Sequence, residues 1–242
     1  MSIKIENTEV MGWEAAIRGM RNPMNSWKKS DSKVCEFPEK VPPCWQECDH
    51  KGNGFCIGPN DHDLMMRLAK TGSEHAKYRR FIVVYVDITA PLYWWKEFDT
   101  YKVGTVANSC STMHKIHAKE FTLGDFSCEH LVNIYTLQQV IKDLNFWRDA
   151  YLINDGDERV EYIRSRFDPE KVDPFMNKKD CWWQMIQLLP SSYNQKRTIM
   201  LNFEVLSNIY GQRKNHKLDE WETFRDWIET LPYSEIIALK EE

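Results

Sequence analysis

The sequence predicts an α+β fold, with one short antiparallel-type sheet packed with long helices. Three observations carry that expectation. The segment "FIVVYVDI" is β-branched and aromatic on both faces and reads as a strand central to a sheet. Longer segments, above all "LVNIYTLQQVIKDLNFWRDAYL", place apolar residues at helical spacing. The chain has 242 residues and is 42% hydrophobic, which is enough to bury a sizeable core. No internal repeat breaks this pattern. The expected organisation is a single domain over residues 1–242, with a Cys-rich loop at 28–60 and a charged excursion at 154–180.

Taken in order, "IKIENTEVM" alternates and reads as a strand, and "GWEAAIRGMR" follows as a helix-like segment carrying Arg18 and Arg21. Residues 28–60 are rich in Lys, Ser, Pro, Gly and Cys and read as a long loop. "GPNDHDLMMRLAKTG" is a short helix. Asn60 or Asp61 can cap it, Leu64 and Leu68 lie on its apolar face, and Gly72 ends it. After the central strand Pro91 forces a bend, and Tyr93, Trp94, Trp95 and Phe98 form a packed helix. Leu131, Ile134, Leu137, Ile141, Leu144 and Trp147 mark the long helix. Residues 154–180 are charged and hold two Asp-Pro steps. "CWWQMIQLLP" is a helix stopped by Pro190. "RTIMLNFEVLSNIYGQR" reads as a second long helix, and "EWETFRDWIETLP" as a third, stopped by Pro232.

The formal net charge is −4, so there is no basic surplus of the kind that binds a nucleic-acid duplex. No apolar run approaches the ~20 residues of a membrane span. "MSIKIENTEV" lacks a signal-peptide core, and a cytoplasmic protein is expected. Seven cysteines, an odd count, argue against a disulfide framework. Cys35, Cys44, Cys48 and Cys56 cluster in one polar loop, and four thiols can hold zinc. Their spacing is irregular and holds no CxxC pair, so a surface loop with free thiols stands beside the zinc reading.

Three segments can carry chemistry. If residues 197–213 are helical, Asn202, Val205, Ile209 and Arg213 share a stripe, with Asn202 and Arg213 about 16 Å apart. Polar ends on an apolar stripe either bond to protein or meet a ligand. Arg213, with its planar fork, suits phosphate or an imide edge. Glu74 and His75 follow a helix-ending glycine; they are either a turn or a site on a loop. The stretch "DTYKVGTVANSCSTMH" gathers Thr105, Asn108, Ser109, Ser111 and Thr112 between Lys102 and His114. Uncharged donors with flanking cations suit a nucleotide cradle, without Rossmann or P-loop spacing; a polar turn is the other reading.

Together these segments resemble the flavin-dependent thymidylate synthases (the ThyX-like family), as a divergent member. "AAIRGMR", "LMMRLAKTGSEH", "FIVVYVDITAPLYWW", "DTYKVGTVANSCSTMH" and "QLLPSSYNQKRTIMLNFEVLSNIYGQRKNHKLDEW" follow that family's motif order. The resemblance covers most of residues 1–110 and 180–235. It implies the thymidylate synthase complementing protein fold, with sites between subunits of a homotetramer. It implies C5 methylation of dUMP or a related pyrimidine nucleotide, using reduced FAD and methylenetetrahydrofolate. Glu74, His75, Tyr101, Asn202 and Asn208 fall on the flavin side. Lys102, Asn108, Ser109, Ser111, His114 and Arg213 fall on the nucleotide side, with Arg213 the catalytic arginine that grips the pyrimidine.

The chain also departs from the family. Thr100, Tyr101 and Lys102 stand where it has Arg-His-Arg. Glu204 and Met113 stand where it has arginines, as does Ile186 or Gln187. Each lost charge-assisted hydrogen bond is worth about 1.5–3 kcal/mol toward an anion. A non-catalytic nucleotide-binding protein, a sensor or a sequestering protein, is therefore the alternative.

Overall fold

A computed structural model describes residues 3–35, 55–153 and 177–239. Cys44, Cys48 and nearly all of the expected charged excursion lie outside the described residues. The elements in order are β1 (Lys4–Met11), α1 (Trp13–Arg21), β2 (Lys33–Val34), β3 (Phe55–Cys56), α2 (Pro59–Thr71), β4 (Val83–Pro91) and α3 (Leu92–Phe98). Then follow β5 (Thr105–Ser109), α4 (Ile134–Leu152), α5 (Lys178–Leu188), β6 (Asn194–Asn202), α6 (Phe203–Gln212) and α7 (Asp219–Thr230). The class is α+β, as the pattern predicts.

The main sheet has four strands in the order β1-β4-β6-β5, which puts "FIVVYVDI" in its interior. β1 runs antiparallel to β4, with Lys4 opposite Thr89 and Met11 opposite Val83. A bulge interrupts that register between Glu6 and Glu9. β4 buries Val84, Val86, Ile88 and Ala90, whereas Tyr85 is exposed and Asp87 half-buried. The strand is interior to the sheet, as its composition predicts, with one face buried. The other face is polar. Asp87 accepts hydrogen bonds from the Thr198 hydroxyl at 2.6 Å and from Asn7 Nδ2 at 3.0 Å, and Lys196 Nζ lies 3.0 Å away. These contacts, Thr198 first, hold the Asp87 carboxyl down at about 2.

The chain divides into two compact units. One comprises Ala90–Trp95 and Ser109–Gln195. Its core packs α4 against α5 through Leu137, Ile141, Leu144 and Met185, with Phe121 and Phe126. Asn133 caps α4 by accepting from the Tyr135 N–H, and an Asn177–Asp180 capping box starts α5. The second unit comprises Ser2–Thr89, Lys96–Asn108 and Lys196–Glu242. It buries Trp13, Met65, Ile199, Phe203, Leu206, Trp221, Phe224 and Ile228.

The run "RTIMLNFEVLSNIYGQR", expected as one helix, is strand β6 as far as Asn202 and helix α6 beyond it. Pairing into the sheet buries Ile199 and Leu201, which outweighs the helical propensity of Met and Leu. Asn202 is extended, and its Oδ1 accepts from the Val205 N–H at 3.0 Å, so it caps the helix instead of lying within it. "TVANS", part of the stretch read as a nucleotide cradle or a polar turn, is edge strand β5.

The start of α2 also differs from expectation. Gly58, not Asn60 or Asp61, is the N-cap residue. The Asp31 side chain accepts from the N–H groups of Asn60 and Asp61 in its place. Asp61 is fully buried. Its Oδ1 takes Arg21 Nε at 2.5 Å, and its Oδ2 accepts from the hydroxyls of Ser32 and Ser30 at 2.6 and 2.7 Å. Desolvation alone pushes this carboxyl up. The bonds from Ser32, Ser30 and Arg21 outweigh it and hold the group below its ordinary value.

Asp61→Ala leaves the Arg21 guanidinium, 4% exposed, buried without its counter-charge. It should cost about 3–5 kcal/mol in a denaturant titration. Because the folded-state value is depressed, the stabilisation is present above the unfolded carboxylate's range near ~3.9 and is lost as pH falls through the lower value. The gap between wild type and variant should therefore close in acid.

Candidate functional site

Arg213 is the C-cap residue of α6. Its Nε donates to the Tyr101 hydroxyl at 2.8 Å, and its Nη1 donates to Glu97 Oε2 at 2.7 Å. The guanidinium lies 4.4 Å from the centre of the Trp221 ring and 5.3 Å from that of Tyr101, within cation–π range of both. The Tyr101 hydroxyl in turn donates to Gln212 Oε1 at 3.1 Å. Trp221 Nε1 donates to Glu97 Oε2 at 3.3 Å.

His216 completes the cluster. Its Nδ1 accepts from the Leu218 N–H at 3.1 Å, which in a neutral ring places the proton on Nε2. Nε2 stands 3.2 Å from Glu97 Oε2 and 3.1 Å from Arg213 Nη1. One carboxylate oxygen thus collects a guanidinium, an imidazole and an indole N–H. Charge-assisted bonds of this kind fix the geometry of all four side chains.

The nucleotide-side residues are otherwise less enclosed. Lys102 and Asn108 are exposed in the second unit. Ser109, Ser111 and His114 are exposed and belong to the first unit, so the hydroxyl-rich stretch is divided between the two. The Ser111 hydroxyl accepts from the N–H groups of Met113 and His114 at 3.2 and 2.9 Å. At that point the stretch is a hydroxyl-stabilised turn.

Of the flavin-side residues, Tyr101 joins the Arg213 cluster. Asn202 has its oxygen engaged as the α6 cap, while its Nδ2 faces Gly104. A Cβ at Gly104 would come within 3.0 Å of that nitrogen and 3.2 Å of Val205 Cγ2. With φ at +80°, residue 104 favours glycine twice over. Asn208 is exposed on α6. Glu74 and His75 sit in the exposed turn after α2, 3.9 Å from one another, and bond to none of the other predicted residues. As for zinc, Cys35 is buried and Cys56 half-buried, and no group of three or more candidate ligands occurs among the described residues.

Sequence reasoning did not single out Glu97, His216 or Trp221. Glu97 hides in an aromatic run that reads as packing. His216 follows Arg213 by three residues, a spacing that marks neighbours on a tight turn.

No protein-family model and no curated protein sequence matches this chain. Solved structures do match. The crystal structure of thymidylate synthase X (ThyX) from Helicobacter pylori with FAD and dUMP superposes with a TM-score of 0.61 at 12% identity, over 98% of this chain and 97% of that one. A second, of flavin-dependent ThyX from the same organism complexed with FAD and dUMP, gives 0.60 at 12% identity, over 98% of each chain. The likeness is one of fold.

The Asn202 cap makes its own prediction. Asn202→Ala should lower stability by about 1 kcal/mol in chemical denaturation, and Asn202→Asp should retain most of it. A variant as stable as wild type would remove the capping role.

Proposed function

We propose that this chain is an enzyme of the flavin-dependent thymidylate synthase kind, methylating C5 of dUMP or a related pyrimidine nucleotide. The single observation that carries the reading is the fold likeness, over nearly the whole chain, to ThyX structures holding FAD and dUMP. The reading takes methylenetetrahydrofolate as the one-carbon donor. It places the protein in the cytoplasm, as a homotetramer with sites between subunits. No helix among the described residues is long and apolar enough to cross a membrane.

The residues present fit such a ligand pair in kind. Tyr101, Asn208 and the Asn202 amide offer neutral hydrogen-bonding groups for a flavin ring, with Glu74 and His75 as further contacts. Lys102 offers one cation for a phosphate. FAD, when bound, supplies the reducing equivalents. The chain's own part is to orient the base with Arg213, which is itself aligned by Tyr101 and Trp221. Asn108, Ser109, Ser111 and His114 serve the sugar and phosphate. A guanidinium fixed in this way can donate to the ring without moving.

A second reading, a nucleotide-binding protein without flavin chemistry, is favoured by one observation. Glu97 neutralises Arg213, and Thr100 and Tyr101 bring no positive charge.

One set of measurements tests both. On the enzyme reading, purified protein should show flavin absorbance and have several times the mass of one chain by light scattering. dUMP at a hundredfold excess over its Kd should add about 2.7 kcal/mol of stability. Arg213→Ala should weaken dUMP binding about tenfold or more. A colourless protein that takes up no FAD yet is stabilised by dUMP selects the second reading. No response to either ligand removes both.

A further inference from the structure

We propose that Glu97 makes the Arg213 cluster a reader of a neutral base edge and a poor site for an anion. The inference rests on the nucleotide reading above and assigns a specificity role to a residue that the sequence did not single out. It starts from charge. Glu97 Oε2 and Arg213 Nη1 are 2.7 Å apart, so the pair presents no net charge to a ligand. An incoming phosphate would gain the attraction of the guanidinium and meet the repulsion of the carboxylate beside it. His216 Nε2 is turned into the same pair, 3.2 Å from Glu97 Oε2 and 3.1 Å from Arg213 Nη1.

The atoms left over decide what fits. Arg213 uses Nε on Tyr101 and Nη1 on Glu97, and Glu97 uses Oε2 for all three of its donors. Among the described residues Arg213 Nη2 and Glu97 Oε1 have no partner. The Glu97 side chain is 36% exposed and that of Arg213 16%. A donor and an acceptor therefore stand on adjacent side chains. Their complement is an edge with an acceptor next to an N–H. Uracil has it in O4 and N3–H, and cytosine has it in N3 and its 4-amino group. Phosphate has acceptors alone. The nucleotide's phosphate must then be held by other groups.

Changing Glu97 to Gln reverses the pattern. The amide oxygen keeps facing the guanidinium, and the amide nitrogen points outward. Two donors and an uncompensated positive charge result, which suits an anion.

The test is calorimetry with nucleosides, which carry no phosphate. Wild type should bind uridine, and inorganic phosphate in large excess should not compete. 3-Methyluridine, which lacks the N3–H, should bind about tenfold or more weakly. Cytidine binding comparably to uridine assigns the shared edge, and cytidine binding much more weakly assigns the imide; both support the proposal. Glu97→Gln should lose about tenfold in uridine affinity and become sensitive to phosphate. Competition by phosphate in wild type, equal binding of 3-methyluridine, or a Glu97→Gln variant indistinguishable from wild type would each overturn it. The 3-methyluridine arm uses wild-type protein alone, so misfolding of the variant does not rescue the idea. If dUMP binds and uridine does not, the Glu97 proposal falls and the nucleotide reading stands. If neither binds, both fall.

Discussion

Both ends of α6 are tied to one stretch of chain, and that constraint organises everything around the candidate site. At its start, Asn202 turns β6 into helix and lies against Gly104. At its end, Arg213 locks onto Glu97 and Tyr101. Residues 97–104 are thereby held along the helix, although they contribute little apolar burial of their own beyond Phe98. A charged group half-covered by aromatic rings must find a counter-charge or be solvated. Glu97 meets that need inside the chain. The cost of leaving either partner alone binds α3 to the α6–α7 corner.

Much of this architecture was legible from residue pattern. The β-branched and aromatic run Val83–Val86 reads as a strand, and Pro91 ends it. The helix Ile134–Leu152 announced itself through Leu137, Ile141 and Leu144. The boundary at Asn202 did not. Thr198, Ile199, Met200 and Leu201 show no alternation strong enough to betray a strand, because Met200 on the open face is also apolar. Only the Asn-x-x-Val capping geometry, invisible in composition, separates strand from helix there. Which face of β4 is buried is hidden for a related reason. Val83 and Tyr85 are apolar enough to look buried, yet they share their face with Asp87 and the ion pairs around it.

The site was legible in part. Its fork geometry and its place at the end of an apolar helical stripe point to Arg213, which lies among Glu97, Tyr101, His216 and Trp221. Its partners were not foreseen, since Glu97 and Trp221 lie 116 and 124 residues along the chain from the groups they bond, and a single sequence does not reveal such pairings. Residue type alone points to Ser111 as a nucleotide ligand, and its hydroxyl also accepts from two N–H groups of its own turn. The same logic explains how a fold persists at 12% identity. Burial pattern and turn chemistry hold a backbone together, while recognition depends on a handful of side chains whose neighbours can change.

The irregularity in β1 has a consequence for life in a crowded solution. Asn7 takes a left-handed conformation there, and Glu6 and Lys4 flank it with charge. An outer strand that is kinked and charged cannot line up a continuous row of amides and carbonyls for a stranger's strand to zip onto. The β1 margin of the sheet is thus protected against amyloid-like growth by one misplaced residue and two side chains.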